Sequence, residues 1–184
     1  MNLTAYLANL EKARDRVIAD LPAMAKIAAT DLAALVKNRV VQRGENADNV
    51  PFSPYSTVEV PAFFYKGKSR NSAGAAAVTA LGHQGKKLSY KEFRQVNGLK
   101  TDKKNFEFTG EMWRGVQVTD VTASGNTASA TIQGGSSASK DRLAFGSSHE
   151  HISLLKGSAK EVALVQATMQ KRFNNTIQLA LHGQ

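Results

Sequence analysis

Apolar positions over the first forty residues recur at helical spacing. Leu3, Leu7, Leu10, Val17 and Leu21 make one stripe, interrupted by Arg14, with Asn2 placed to cap the first free amides. Asp20-Leu21-Pro22 reads as a fresh start, because Asp is a good N-cap and Pro is tolerated only in a first helical turn. Met24, Ile27, Ala28, Leu32, Leu35, Val36 and Val40 then keep an apolar face, and Gly44 supplies a stop. Two helices or a single kinked one both satisfy this pattern.

From 45 to 88 the periodicity dissolves. Pro51, Pro54 and Pro61 forbid a long helix and limit Thr57-Val58-Glu59-Val60 to a short edge strand. Phe52, Tyr55, Phe63, Phe64 and Tyr65 are too many aromatics for a plain disordered linker, so part of this stretch packs on something. Residues 69–85, rich in Ala, Gly and Ser, are expected to be the most mobile, with at most one helical turn at Ala75-Ala76-Ala77-Val78. Residues 89–96 predict a short helix, with Ser89 and Glu92 as a capping box and Gly98 past its end.

The stretch 106–118 holds the only Trp. Phe106 and Phe108 alternate with polar residues, as do Val116 and Val118, and Thr109-Gly110 punctuates the run, which predicts strand, turn and strand. Ser124-Gly125-Asn126 is a hairpin turn signal, and Ala128, Ala130 and Ile132 alternate on the return. Arg142-Leu143-Ala144-Phe145 reads as another short strand closed by Gly146. Residues 158–181 carry Val162, Val165, Met169, Phe173, Ile177 and Leu181 at helical spacing, a stripe suited to covering one face of an antiparallel sheet. The predicted class is α+β: N-terminal helices, a long irregular basic arm, and an antiparallel β-meander packed by a C-terminal helix. We expect one domain over 1–184, with 45–105 as an extended arm.

Charge sharpens the arm. Of the net charge of +9, residues 66–104 carry +8 through ten basic residues against Glu92 and Asp102. The ten are Lys66, Lys68, Arg70, Lys86, Lys87, Lys91, Arg94, Lys100, Lys103 and Lys104, and they are the candidate contacts to an anionic partner, nucleic acid or an acidic protein surface. A solvated basic loop is the plainer account of the same run. No apolar run approaches the roughly 18 residues of a membrane span, which predicts a soluble chain with no membrane partner. The first residues lack the pattern of a secretory signal, so synthesis in the cytoplasm is expected.

Chemical constellations are sparse. The chain has no cysteine, which excludes thiol catalysis, disulfides and Cys-ligated metal. His149-Glu150-His151 is the one crowding of potential ligands, and without a third converging group it reads as a surface loop rather than a metal site. His83 and His182 have no evident partner. Glu107 and Glu111 could be imagined as an acid and base, but exposed polar positions on a hairpin account for them. Trp113 fits a core position, an interface anchor or a base-stacking platform. No Gly-x-Ser-x-Gly elbow, phosphate loop or dinucleotide fingerprint occurs, and neither catalysis nor a cofactor is expected.

Phe108-Thr109-Gly110-Glu111-Met112-Trp113-Arg114 resembles the Thr-Gly-x-Met/Leu-x-x-Ser turn of tailed-phage tail-completion and head-tail connector proteins, also described as virion morphogenesis proteins. Pro51-Phe52-Ser53-Pro54-Tyr55-Ser56 is similar to the proline and aromatic segment which that family places after its N-terminal helices, and the order of elements agrees. Gly115 stands where the family often has a small hydroxyl residue, and Leu143-Ala144-Phe145-Gly146 matches its Tyr-Ala-x-x-His-x-x-Gly only loosely. The resemblance implies a non-catalytic structural protein of the virion, forming a homo-oligomeric ring, a hexamer or alternatively a dodecamer, at the head-tail junction. It also implies portal, neck or tail proteins as partners and genomic DNA in the channel. A basic nucleic-acid-binding protein is the alternative.

Overall fold

The computed structural model describes residues 3–181; Asn2 and His182, singled out above, lie outside them. The helical stripe at the N-terminus becomes one continuous helix, α1 (Leu3–Asn38), which runs straight through Pro22. The missing Pro22 N–H and its ring cost an interior helix ~3 kcal/mol. That loss is offset by packing, because α1 lies against both strands of a hairpin and against the C-terminal helix.

Helix α1 ends in a π-helical turn, Arg39–Arg43, that turns both Arg39 and Val40 into the interior. Gly44 stops it at φ +69°, its N–H donating to the carbonyls of Arg39 and Val40 at 3.1 Å each. A Cβ here would meet Lys103 Cβ and the Lys104 carbonyl at 3.0 Å, so both conformation and close approach require glycine.

The stretch expected to be an irregular arm is folded. Strand β1 (Glu59–Pro61) leads into a 3₁₀ turn, Ala62–Tyr65, then α2 (Ser72–His83), β2 (Lys87–Ser89) and α3 (Tyr90–Val96). β1 and β2 pair antiparallel with Val60 opposite Leu88. Ala62, Val78, Leu88 and Phe93 form a small core of their own, with Tyr65 stacked on Phe93 at 4.3 Å. Residues 69–85 are therefore not a loop with one helical turn but contain a twelve-residue helix. Asn71 caps it by accepting the Gly74 N–H at 2.7 Å, alanines propagate it, and burial of Val78 outweighs the ~1 kcal/mol helix penalty of each glycine. Helix α3 carries the capping box read from the sequence: Ser89 Oγ accepts from Glu92 N, and the Glu92 carboxylate accepts from Ser89 N.

The largest correction falls on 106–118. Phe106 sits at φ +52°, Gly110 at +77°, and Glu111–Arg114 form a short helix, α4, with Met112 and Trp113 buried. The first strand in this stretch is β3 (Val116–Ser124), which returns as β4 (Thr127–Gly134). The alternation of Phe106 and Phe108 is real, but it serves two cores. Phe106 packs against the main cluster of Val36, Val40, Phe52, Met112, Trp113, Leu143 and Leu154, whereas Phe108 packs against the small one. Of the three readings of Trp113, the core one holds, at 3% exposure.

The meander is a single hairpin, with a bulge between Thr119 and Thr122 where Asp120 adopts φ +50°. The expected strand at 142–145 is instead part of α5 (Ser137–Glu150), capped by Ser136. Its buried positions Ser139, Leu143 and Gly146 recur at i, i+4 and i+7, and Gly115 and Gly134 come within Cβ range of Ser139. Helix α6 (Ala159–Leu181) runs along α1, which itself lies on the hairpin.

One polar contact joins these parts. Arg39 Nε lies 2.9 Å from Glu161 Oε1 with both side chains buried, while its other nitrogens donate to the carbonyls of Glu45 and Lys156. Glu161 also completes a capping box with Ser158 at the start of α6. Removing one partner of such a pair strands the other charge, so Arg39→Ala should lower stability by about 3–5 kcal/mol in urea unfolding. The joint replacement Arg39→Met with Glu161→Leu should recover most of that loss. Equal losses in the single and joint variants would refute a strong mutual dependence.

Candidate functional site

Residues 51–56 and 105–114 come together in space. Phe52 meets Phe106 edge-on at 4.9 Å, and Phe52, Met112 and Trp113 share the main core. Tyr55 Oη donates to Asn105 Oδ1 at 3.0 Å and accepts the Asn105 N–H at 3.2 Å. The guanidinium of Arg94 stacks over the Tyr55 ring at 4.2 Å and donates to Asn105 Oδ1 and the Lys100 carbonyl. Burial raises the Tyr55 phenol above its ordinary value of 10.0, against opposing hydrogen bonds from Asn105 and the charge of Arg94. Pro54, Thr109 and Gly110 line the same opening. Pro51 is exposed at a short bridge to Glu45.

Between the two cores these residues enclose a groove of about 850 Å³ with largely apolar walls. Tyr90, Phe106, Phe108 and Met112 line it, together with Phe145 of α5, which is 73% exposed. Of the charged groups that line it, Lys104 and Arg142 are ion-paired within the chain, Arg94 is held by neutral partners, and Asp141 has no ion-pair partner among the described residues. Lys104 Nζ lies 2.7 Å from Glu150 Oε1 and 2.9 Å from Ser53 Oγ, and Ser53 Oγ also donates to Glu150. Arg142 pairs with Glu111 at 2.6 Å. Burial pushes the Glu150 carboxyl up, but hydrogen bonds from Lys104 and Ser53, with the Lys104 charge, outweigh it and hold the group below the ordinary range. The Arg142 hydrogen bond lowers Glu111 likewise.

These partners decide the weak chemical candidates. His149 and Glu150 end α5, and His151, at φ +56°, is its left-handed C-cap, so the trio is a helix terminus rather than a surface loop. The Glu150 carboxylate already holds Lys104, Ser53 and His149, and among the described residues no group of three His, Asp or Glu could hold a metal. Glu107 and Glu111 flank the turn into α4, not a hairpin face, and Glu111 is committed to Arg142. His83 is the last residue of α2.

The ten basic candidates divide. Arg94, at 1% exposure, and Lys104, at 7%, are buried and satisfied inside the chain, so they are corrected from partner contacts to structural groups. Lys103 is half-buried and bonded to the Gln42 carbonyl. Lys66, Lys68, Arg70, Lys86, Lys87, Lys91 and Lys100 are exposed, and none has a carboxylate partner among the described residues. Six of these seven lie on the small unit of β1, α2, β2 and α3, beside the exposed stacked pair Phe63 and Phe64.

Sequence reasoning missed the groove. Phe145 reads as part of a short strand, Tyr90 carries no local signal, and nothing local pairs Lys104 with Glu150 across 46 positions. No protein-family model, characterised protein or solved structure matches the chain. No helix of the described residues is long and apolar enough to cross a membrane.

The groove wall should report on pH. Glu150 and Glu161 have folded pKa values lowered from 4.5, so their contribution is complete above that value and is lost as pH falls through the lowered ones. Urea midpoints should drop below about pH 4.5, with a shallower drop in Glu150→Gln, which starts from lower stability at pH 7. Parallel pH profiles for the two proteins would contradict the Lys104–Glu150 linkage.

Proposed function

We propose that this chain is a structural protein of a tailed-phage virion: a ring-forming connector, tail-completion or tail-hub subunit at the head-tail interface. The observation that carries the reading is the small folded unit within 56–99. It concentrates exposed cations that have no carboxylate partner among the described residues, within the basic segment 66–104 that carries +8 of the net charge of +9. Unneutralised cations on one surface favour an anionic counterpart, either acidic portal and tail surfaces or DNA in a channel. The resemblance of 51–56 and 108–114 to the connector family supplies the class, and those residues build the junction between the two cores. Antibody labelling of purified virions should place the protein at the head-tail junction, and genes encoding portal, capsid or tail proteins should adjoin its own. Its absence from purified virions would sink the proposal.

A second reading has one specific observation in its favour. Phe63 and Phe64, 62% and 54% exposed and stacked at 4.6 Å, stand directly before Lys66 and Lys68, the mix of aromatic platform and cation that single-stranded nucleic acid uses. A nucleic-acid-binding protein predicts affinity for a single-stranded oligonucleotide that falls steeply with salt, and Lys66→Gln with Lys68→Gln should lessen the slope by about two. No binding at low salt would dispose of this reading.

A further inference from the structure

Among the described residues, two apolar surfaces lack a partner, and they cannot reach each other within one molecule. The first is the start of α1. Leu3, Tyr6, Leu7 and Leu10, at i, i+3, i+4 and i+7, are 71%, 44%, 52% and 39% exposed, and burial begins only at Ala13, at 4%. Helix α6 meets α1 from Arg39, at Glu161, back to Asp20, beside Leu179, so this stripe extends beyond it. The second surface is the groove between the cores. Val36 of α1 belongs to the core whose Met112 and Phe106 line the groove, and Leu7 lies 29 residues earlier in the same unbroken helix, about 44 Å away at 1.5 Å per residue.

We infer that the N-terminal turns of α1 dock into the groove of a second copy of this chain, head to tail. Charge selects this occupant. Of the cations at the groove, Lys104 and Arg142 are ion-paired and Arg94 is buried against Tyr55 and Asn105, so it offers apolar walls and no exposed free cation to a ligand, and Asp141 is the charged lining residue without an ion-pair partner among the described residues. Residues 3–10 contain no charged side chain, whereas an acidic peptide or a nucleic acid would be drawn to the exposed lysines of the small unit instead. Size agrees as well. Two helical turns are roughly 11 Å long and 10–12 Å across, a volume of the same order as the 850 Å³ groove.

A contact between two different patches is heterologous, and its repetition closes a ring or runs on as a filament. A two-fold pairing of stripes would bury one surface and leave the groove open. The contact deepens the ring reading above and rests on it only for closure.

Absence of native cysteine makes the test direct. Leu7→Cys and Phe145→Cys both replace exposed residues, so neither should disturb folding. Treated with a short bismaleimide, the mixture of the two variants should give a covalent dimer and neither variant alone should. The double variant should give a ladder ending in one discrete species. Dimer from Leu7→Cys alone would mean stripe-to-stripe pairing, and it would overturn the inference, as would a mixture without product. Rings of unmodified protein that form without the mixed cross-link refute the docking and leave the ring reading standing. A mixed cross-link in a protein missing from virions does the reverse.

Discussion

Arg39 and Glu161 form the contact on which the rest of the chain is aligned. A buried ion pair gains little over a well-packed apolar replacement, since desolvation of two charges consumes most of the Coulomb attraction. Its value here is positional. Arg39 lies in the π-helical turn, where one extra residue per turn brings it inward beside Val40, and it binds the carbonyls of Glu45 and Lys156 as well as Glu161. Two stretches of chain, 39–45 and 156–161, are thereby held at one point. Glu161 is simultaneously the capping residue of α6, so the start of that helix and its alignment on α1 are fixed by the same carboxylate.

The segments after α1 inherit that alignment. Gly44 ends the π turn against Lys103 and Lys104, and Lys104 then reaches Glu150 at the end of α5. Ser53, in the returning loop, bonds the same carboxylate. The polar wall of the groove is thus built from three distant segments, each placed by a contact that begins at the end of the first helix. Phe52 and Phe106 meet edge-on in the same region, within the core that includes Val36 and Val40.

The sequence was legible where the governing interaction is local. The Ser89 and Glu92 capping box, the Gly44 stop, the Ser124-Gly125-Asn126 turn and the C-terminal helix all depend on residues within a few positions of one another, and each stands where it was expected. It misled where tertiary packing overrides a local rule. Pro22 does not break α1, because two layers pack along that helix. Glycines at 74 and 82 did not prevent α2, because Val78 has a core to enter. A period of two at Phe106 and Phe108 mimicked a strand because neighbouring residues in a loop can also point to opposite sides, here into separate cores. Charge counting could not foresee that Arg94 and Lys104 are interior, since Tyr55, Asn105 and Glu150 are remote in sequence.

The burial of those two cations has a consequence for the molecule's surfaces. Had Arg94 and Lys104 been free, the groove and the small unit would have formed one basic field, attracting the same anions. Because Tyr55 with Asn105 holds one and Glu150 the other, neither cation is presented at the surface, and the walls of the groove stay largely apolar. Surfaces of these two kinds respond to different conditions. Attraction by exposed lysines decays over a Debye length of about 8 Å at physiological salt, whereas apolar burial is nearly indifferent to salt at that level. The two surfaces of one chain therefore differ in what weakens them, salt acting on the charged one and leaving the apolar one nearly unchanged.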